Sequence, residues 1–147
     1  MFKKVSYIVL LLLLTFSLFA QVVSIEQQNL EIQPGETAQF SVTIQIPDDQ
    51  HCTKQEDYLF VEVTGVPGLE EGQTIYPTSE HQDELGNDVY YGKFTLVKEL
   101  VATNSLKSGT YEAEVIVGYQ FCNEEGTCLM PEEEEFNLSI NVLAGTG

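Results

Sequence analysis

Strict alternation of apolar and polar residues over TAQFSVTIQI, residues 37–46, constrains the fold of this chain more than any other feature. Successive side chains of a β-strand point to opposite faces, so one face of this segment is predicted to be buried and the other to be exposed to solvent. FNLSINV (136–142) and YEAEVIV (111–117) repeat the pattern. Three further segments with strand composition are 22–32, 57–65 and 90–100. No stretch has a convincing helical period, and the sequence therefore predicts an all-β domain.

Turn residues separate these segments. QPGE (33–36) places Pro before Gly, as a type II turn requires, and NSLKSG (104–109) and NEEG (123–126) are typical of hairpin connections. About seven or more short antiparallel strands with regular turns predict an immunoglobulin-like β-sandwich, with a closed barrel as the alternative. The segments 47–56 and 66–88 are predicted to be long irregular loops, where function is usually carried.

The first twenty residues have the features of a secretory signal. Lys3 and Lys4 precede an apolar run from Ile8 to Leu14, and a looser stretch ends at the small residue Ala20. The strongly apolar part is too short for a membrane span, so no stable membrane insertion is expected after cleavage. We therefore expect residues 1–20 to be a signal peptide and 21–147 to be one exported domain. The domain is expected to be periplasmic, or secreted if the host lacks an outer membrane.

The chain is strongly acidic. It has 23 Asp and Glu residues against six lysines, for a formal net charge of −17. Removal of the signal takes away two of those lysines. Such a surface repels nucleic acid and anionic lipid, so the charge argues against a nucleic-acid-binding function.

Export places the three cysteines in an oxidising compartment. Cys122 and Cys128 are close in sequence and flank a turn that contains Asn123 and Gly126. A hairpin would place their Cα atoms roughly 4.5–5.5 Å apart, within disulfide range. Cys52 is then left over.

On the residues alone, three uses of this pair remain open. The first is a staple of about 2 kcal/mol, a small contribution because the loop that it closes is short. The second is a copper(I) site, although no CxxC or HxxxH spacing supports one. Its soft or borderline ligands would be His51, Cys52, Cys122, Cys128 and Met130. The third is redox exchange at an exposed hairpin, where Glu124 and Glu125 disfavour a thiolate.

Two segments resemble a known family. YQFCNEEGTCLMPEEEEFNL (119–138) resembles the Tyr-Gln-x-Cys-x5-Cys-x-x-Pro segment of the N-terminal domain of DsbD, the bacterial transmembrane thiol:disulfide interchange protein. NDVYYGKFTLVKEL (87–100) resembles the Asp-rich, aromatic-Tyr-Gly-Lys segment of the same domain. The likeness covers roughly residues 28–143. It implies an immunoglobulin-like periplasmic domain without a bound cofactor. Such a domain passes reducing equivalents to thioredoxin-like proteins that serve disulfide isomerisation or cytochrome c maturation.

The resemblance also implies roles for individual residues. Cys122 and Cys128 would be the redox pair, with Cys128 joining the substrate and Cys122 resolving the mixed disulfide. Tyr90 matches the aromatic ring of a cap loop that covers the pair, with Asp88 before it and Tyr91 after it. The alternative for both tyrosines is that they fill the core of the sandwich. The family usually has Phe at the cap position, so the match is incomplete there.

His51 and Cys52 fall in the first long loop, in the region where family members contribute side chains near the pair. The alternatives are an exposed loop histidine and a free thiol without a role. In DsbD a multi-helix membrane domain follows, whereas this sequence ends at NVLAGTG. We therefore expect the electron donor to be a separate membrane-embedded protein.

Overall fold

The computed structural model describes residues 21–145, so the predicted signal peptide lies outside the described residues. Twelve strands form within that range. They are β1 (Val23–Ile25), β2 (Asn29–Ile32), β3 (Thr37–Gln45), β4 (Gln50–Thr53), β5 (Phe60–Thr64), β6 (Leu69–Ile75), β7 (His81–Gln82), β8 (Asp88–Tyr90), β9 (Lys93–Ala102), β10 (Gly109–Tyr119), β11 (Cys122–Asn123) and β12 (Glu132–Val142). Between residues 21 and 145 there is no helix with the length and apolar character needed to cross a membrane.

Two four-stranded sheets form the sandwich. Their strand orders are β1-β3-β9-β6 and β2-β12-β10-β5. Long antiparallel pairs, β3 with β9 and β10 with β12, lie at the centre of each sheet. The predicted all-β, immunoglobulin-like class is confirmed. One correction concerns strand direction, because β2 pairs with β12 in parallel.

The core lies between the inner faces of these two sheets. Phe40, Val42 and Ile44 of β3 are fully buried, as the alternation in that segment predicts. They belong to one cluster with the inward residues of β10 and β12, which are Ala113, Val115, Val117, Leu138, Ile140 and Val142. Each fully buried large apolar side chain contributes about 1.5–3 kcal/mol relative to leaving it exposed, so burial between the two sheets is a main source of stability.

Three boundaries differ from the sequence prediction. The segment 22–32 forms two strands, because the chain crosses from one sheet to the other between β1 and β2. The segments predicted as loops, 47–56 and 66–88, contain β4, β6 and β7. Strands β6 and β7 are largely exposed, and β4 has a single buried residue, so none of them shows the apolar alternation by which the other strands were predicted.

A third, smaller sheet has the order β11-β4-β8-β7. Strand β4 follows β3, β8 precedes β9 and β11 follows β10, so this sheet lies at the end of the sandwich where those long strands meet. It carries most of the residues that the sequence assigns to a site.

Glu71 links the edges of the two large sheets. Its Oε1 accepts a hydrogen bond of 2.6 Å from the N–H of Val63 on β5 and lies 3.4 Å from Nζ of Lys98 on β9. Lys98 is 5% exposed, and Oγ1 of Thr74 at 3.3 Å is its other polar contact.

We expect Glu71→Ala to lower the free energy of unfolding by about 1–3 kcal/mol, because a backbone donor and a buried ammonium lose their acceptor. Urea unfolding measures this change. The exposed neighbour Glu70 is the control, and Glu70→Ala should change stability by less than about 0.5 kcal/mol; equal losses in both variants would contradict the link.

Candidate redox site

Cys122 and Cys128 form a disulfide across a tight turn. The side-chain oxygen of Asn123 accepts a hydrogen bond from the N–H of Thr127, and Gly126 takes the positive φ of 86° that the turn needs. The two Cα atoms are 3.9 Å apart, closer than predicted, because the cysteines face each other directly in an isolated bridge. The turn thus brings together the pair that the spacing suggested.

The two cysteines differ in accessibility. Cys122 is 8% exposed, whereas Cys128 is exposed on the outer side of the turn. Both line a pocket of about 230 Å³ that opens to solvent, which we call the disulfide pocket. Its other lining residues are His51, Thr53, Gln55, Tyr58, Asp83, Gln120 and Gly126. Of the two cysteines, Cys128 is therefore the more accessible to an attacking thiolate.

His51 lies directly opposite Cys122 in the pairing of β4 with β11. Its side chain is 17% exposed, so His51 is a strand residue that is mostly buried and not the exposed loop histidine that the sequence left open. Nδ1 lies 3.4 Å from Oε1 of Glu124, a distance suited to an ion pair. Nδ1 is buried and has no hydrogen-bond partner among the described residues.

Cys52 points to the opposite face of β4 and belongs to the core cluster. Burial raises the pKa of its thiol to about 11, and a hydrogen bond from the backbone of Gln120 opposes the shift in part. The thiol is therefore protonated at neutral pH and shielded from solvent. The structure places it away from the face that His51 shares with Cys122.

Tyr90 and Tyr91 lie in different surroundings. Tyr90 is 4% exposed, its ring stacks on Phe94 with centroids 4.5 Å apart, and its hydroxyl donates a 2.7 Å hydrogen bond to the carbonyl of Pro77. Burial and the charge of the nearby Asp88 raise its pKa to about 12. Tyr91 is 43% exposed, and its ring centroid lies 5.7 Å from that of His51. Of the two rings, Tyr91 is thus the one beside the disulfide pocket.

Tyr91 also contacts His81 and Glu124. The ring of His81 lies edge-on at 5.0 Å. Partial desolvation, and then the charge of Glu124, raise the pKa of the Tyr91 phenol. Because Glu124 belongs to the turn between the two cysteines, Tyr91 flanks that turn.

Asp88 lies outside the disulfide pocket. Its Oδ1 accepts a long hydrogen bond of 3.5 Å from Nε2 of Gln82, and it lines a separate polar pocket together with Lys54 and Asp57. Of the residues predicted near the pair, the structure therefore gathers His51 and Tyr91 around Cys122 and Cys128. It places Asp88, Tyr90 and Cys52 elsewhere.

Three residues near the pair were not predicted from the sequence as site residues, namely Tyr58, Asp83 and Glu124. Two of them carried a signal in the sequence, because Asp83 falls in the segment 66–88 predicted to be a functional loop and Glu124 lies between the two cysteines. Its carboxylate accepts hydrogen bonds from the backbone and side chain of Asn87, which lower its pKa. Asp83 is therefore held ionised at the mouth of the pocket.

The copper alternative requires several ligand side chains close together. Across residues 21–145, no three or more His, Cys, Asp or Glu side chains are grouped so that they would hold a metal ion. The copper alternative therefore gains no support from the geometry.

A β-sandwich that presents an accessible disulfide at one end is a domain suited to thiol:disulfide interchange. The comparison with protein families agrees with this class. Residues 19–140 match the model described as "Thiol:disulfide interchange protein DsbD, N-terminal", and the chain belongs to this family. No curated protein matches the sequence.

Two solved structures from Neisseria meningitidis are similar to this chain. One is the DsbD N-terminal domain in the reduced form, with 22% identity, a TM-score of 0.52, and coverage of 69% of this chain and 77% of that one. The other is the complex between the DsbD N-terminal and PilB N-terminal domains, with 22% identity, a TM-score of 0.48, and coverage of 67% and 73%. The first likeness supports the shared fold. Family membership and the Cys122–Cys128 disulfide together support thiol:disulfide interchange.

Proposed function

We propose that this protein is an exported relay of reducing equivalents. Its Cys122–Cys128 pair takes electrons from a membrane-embedded donor and passes them to thioredoxin-like partners in the periplasm. The observation that carries the proposal is an accessible disulfide in an open pocket, in a chain that belongs to the DsbD N-terminal family. The signal-like segment 1–20 supports export.

In the direction of delivery, the Cys128 thiolate attacks a disulfide sulfur of the partner. A mixed disulfide forms and the other sulfur of the partner leaves as a thiolate. The Cys122 sulfur then attacks Cys128, which restores the intramolecular disulfide and releases the partner with both sulfurs reduced. The exposure of Cys128 and the burial of Cys122 support this assignment of attacking and resolving sulfurs.

Within the relay, Tyr91 is the better candidate for a ring that screens the pair. The ring of Tyr90 is held by Phe94 and by its hydrogen bond to Pro77, whereas the ring of Tyr91 is half-exposed. Gly92 follows it with a φ of +66°, a conformation that glycine adopts without strain. A docking partner displaces such a ring more readily than a buried one.

Equilibration with glutathione separates a relay from a staple. We expect a reduction potential clearly less negative than about −300 mV, because an accessible disulfide that exchanges with partners must be reducible within its compartment. The fraction of reduced pair is measured by thiol alkylation and mass spectrometry over a series of glutathione ratios. Cys52→Ala is the control, because in this variant only the thiols of Cys122 and Cys128 are available for alkylation. A potential below about −300 mV would identify a structural bond.

A further inference from the structure

Three side chains lie in a row across the outer face of the small sheet. Cys122 on β11 is opposite His51 on β4. Tyr91 directly follows β8, and its ring centroid lies 5.7 Å from that of His51. Directly opposed residues of antiparallel strands project from the same face with Cβ atoms about 4.5–5.5 Å apart. The imidazole is therefore a neighbour of the Cys122 sulfur, and both line the disulfide pocket.

The position of the imidazole fits neither an ordinary core histidine nor a surface histidine. Its Nδ1 is buried without a hydrogen bond, although polar groups in such positions are normally satisfied. The ring is held between Tyr91 and the Glu124 carboxylate, which lies 3.4 Å from Nδ1.

His51 is also the one basic side chain among the residues that line the disulfide pocket. The other titratable groups that face it are acidic or phenolic. They are Glu124 from the turn, Asp83 from the loop before β8, and the tyrosines 58 and 91. His81 lies beyond the Tyr91 ring and does not line the pocket. A thiolate formed at Cys122 therefore has His51 as the basic side chain beside it.

We propose that His51 is the general acid and base for Cys122 during exchange, an inference that rests on the proposed relay. When a donor thiolate attacks Cys128, a new sulfur–sulfur bond forms at Cys128 and the Cys122–Cys128 bond breaks. Its electron pair leaves on the Cys122 sulfur, which takes the proton of the His51 imidazolium. The second thiolate of the donor then attacks the donor sulfur that is bonded to Cys128. This step releases Cys128 as a thiolate, so the donor dithiol is oxidised to a disulfide and the Cys122–Cys128 pair is reduced. In delivery, neutral His51 removes the proton from Cys122 as that sulfur resolves the mixed disulfide.

The test measures reduction of the full chain's disulfide by β-mercaptoethanol between pH 5 and 9. Rates are divided by the concentration of the reagent's thiolate, so that the remaining pH dependence belongs to the protein. We expect the wild-type constant to fall as imidazole loses its proton, and the His51→Gln constant to stay level. At pH 5.5 the variant should be slower by about tenfold, which is one pKa unit of lost stabilisation, and at pH 9 the two should agree.

His81→Gln is the matched control, since it also removes an imidazole beside Tyr91 and should retain the wild-type profile. Glu124→Gln, in an exposed turn, keeps the test decisive if His51→Gln does not fold. It removes the carboxylate that lies 3.4 Å from Nδ1, so its pH profile should differ from the wild-type profile, whereas that of His81→Gln should not. A constant offset between parallel profiles would assign His51 a structural role only, and identical profiles would overturn the proposal.

The test also separates this proposal from the relay. If the pH dependence appears while no thioredoxin-like protein is reduced, the relay fails and the acid–base role stands. If a thioredoxin-like protein is reduced while the pH dependence is missing, the relay alone is retained.

Discussion

Cys128→Ser, prepared in the reduced state, is expected to abolish electron transfer to a thioredoxin-like protein. The exposed sulfur is the one that reaches the partner, and a serine hydroxyl at this position forms no mixed disulfide. Cys122→Ser should behave differently. Its Cys128 thiolate still attacks the partner, but the buried position holds no sulfur to resolve the adduct. Reaction with oxidised thioredoxin, followed by non-reducing electrophoresis and mass spectrometry, should show a stable adduct for Cys122→Ser alone.

The third cysteine supplies the control for this experiment. Cys52→Ala should transfer electrons at the wild-type rate, because the protonated and buried thiol lies on the core face of β4. An adduct formed through Cys122 in the Cys128→Ser variant would reverse the assigned roles. Transfer by Cys128→Ser at the wild-type rate would remove the pair from the mechanism.

The sequence predicts those strands in which burial of one face makes apolar and polar residues alternate. The central strands β3, β10 and β12 each bury one face against the opposite sheet, so their alternation is visible in the sequence. Strands β4, β6 and β7 are short or lie at an edge of a sheet, and much of their surface is exposed to solvent. Their pairing depends on partners distant along the chain, which local composition does not specify.

The candidate site shows a second limit. Cysteine spacing is enough to predict the disulfide, but adjacent residues in a strand face opposite ways, and only the register decides which of them faces the site. His51 and Cys52 form one such pair, and Tyr90 and Tyr91 form another. The pairing of Cys52 with Tyr90 directs both of these side chains into the core, and thereby turns His51 and Tyr91 outward. A shift of one residue would exchange the two sets, so the motif that drew attention to Tyr90 did not by itself distinguish core from site.

The two tyrosines should therefore respond in opposite ways to truncation. Tyr90→Ala should lower the free energy of unfolding by about 3–5 kcal/mol, because it removes a buried ring that stacks on Phe94. Tyr90→Phe keeps the ring and loses the hydrogen bond to Pro77, so a loss of about 0.5–1.5 kcal/mol is expected. Tyr91→Ala should change stability by about 0.5 kcal/mol or less, because that ring is half-exposed. Urea unfolding of the oxidised proteins measures all three.

The same variants decide which ring screens the disulfide. Removal of the Tyr91 ring opens the flank of the turn beside Glu124, so Tyr91→Ala should accelerate reduction by dithiothreitol under native conditions. Tyr90→Phe should leave that rate unchanged, because the ring stays in the core and the sulfurs keep their surroundings. If Tyr90→Phe were accelerated and Tyr91→Ala were not, the ring that matches the family's cap position would be the one that governs access. Tyr90 would then have to leave its stack on Phe94 for exchange to occur, and the 3–5 kcal/mol expected for burial of its ring would oppose each opening.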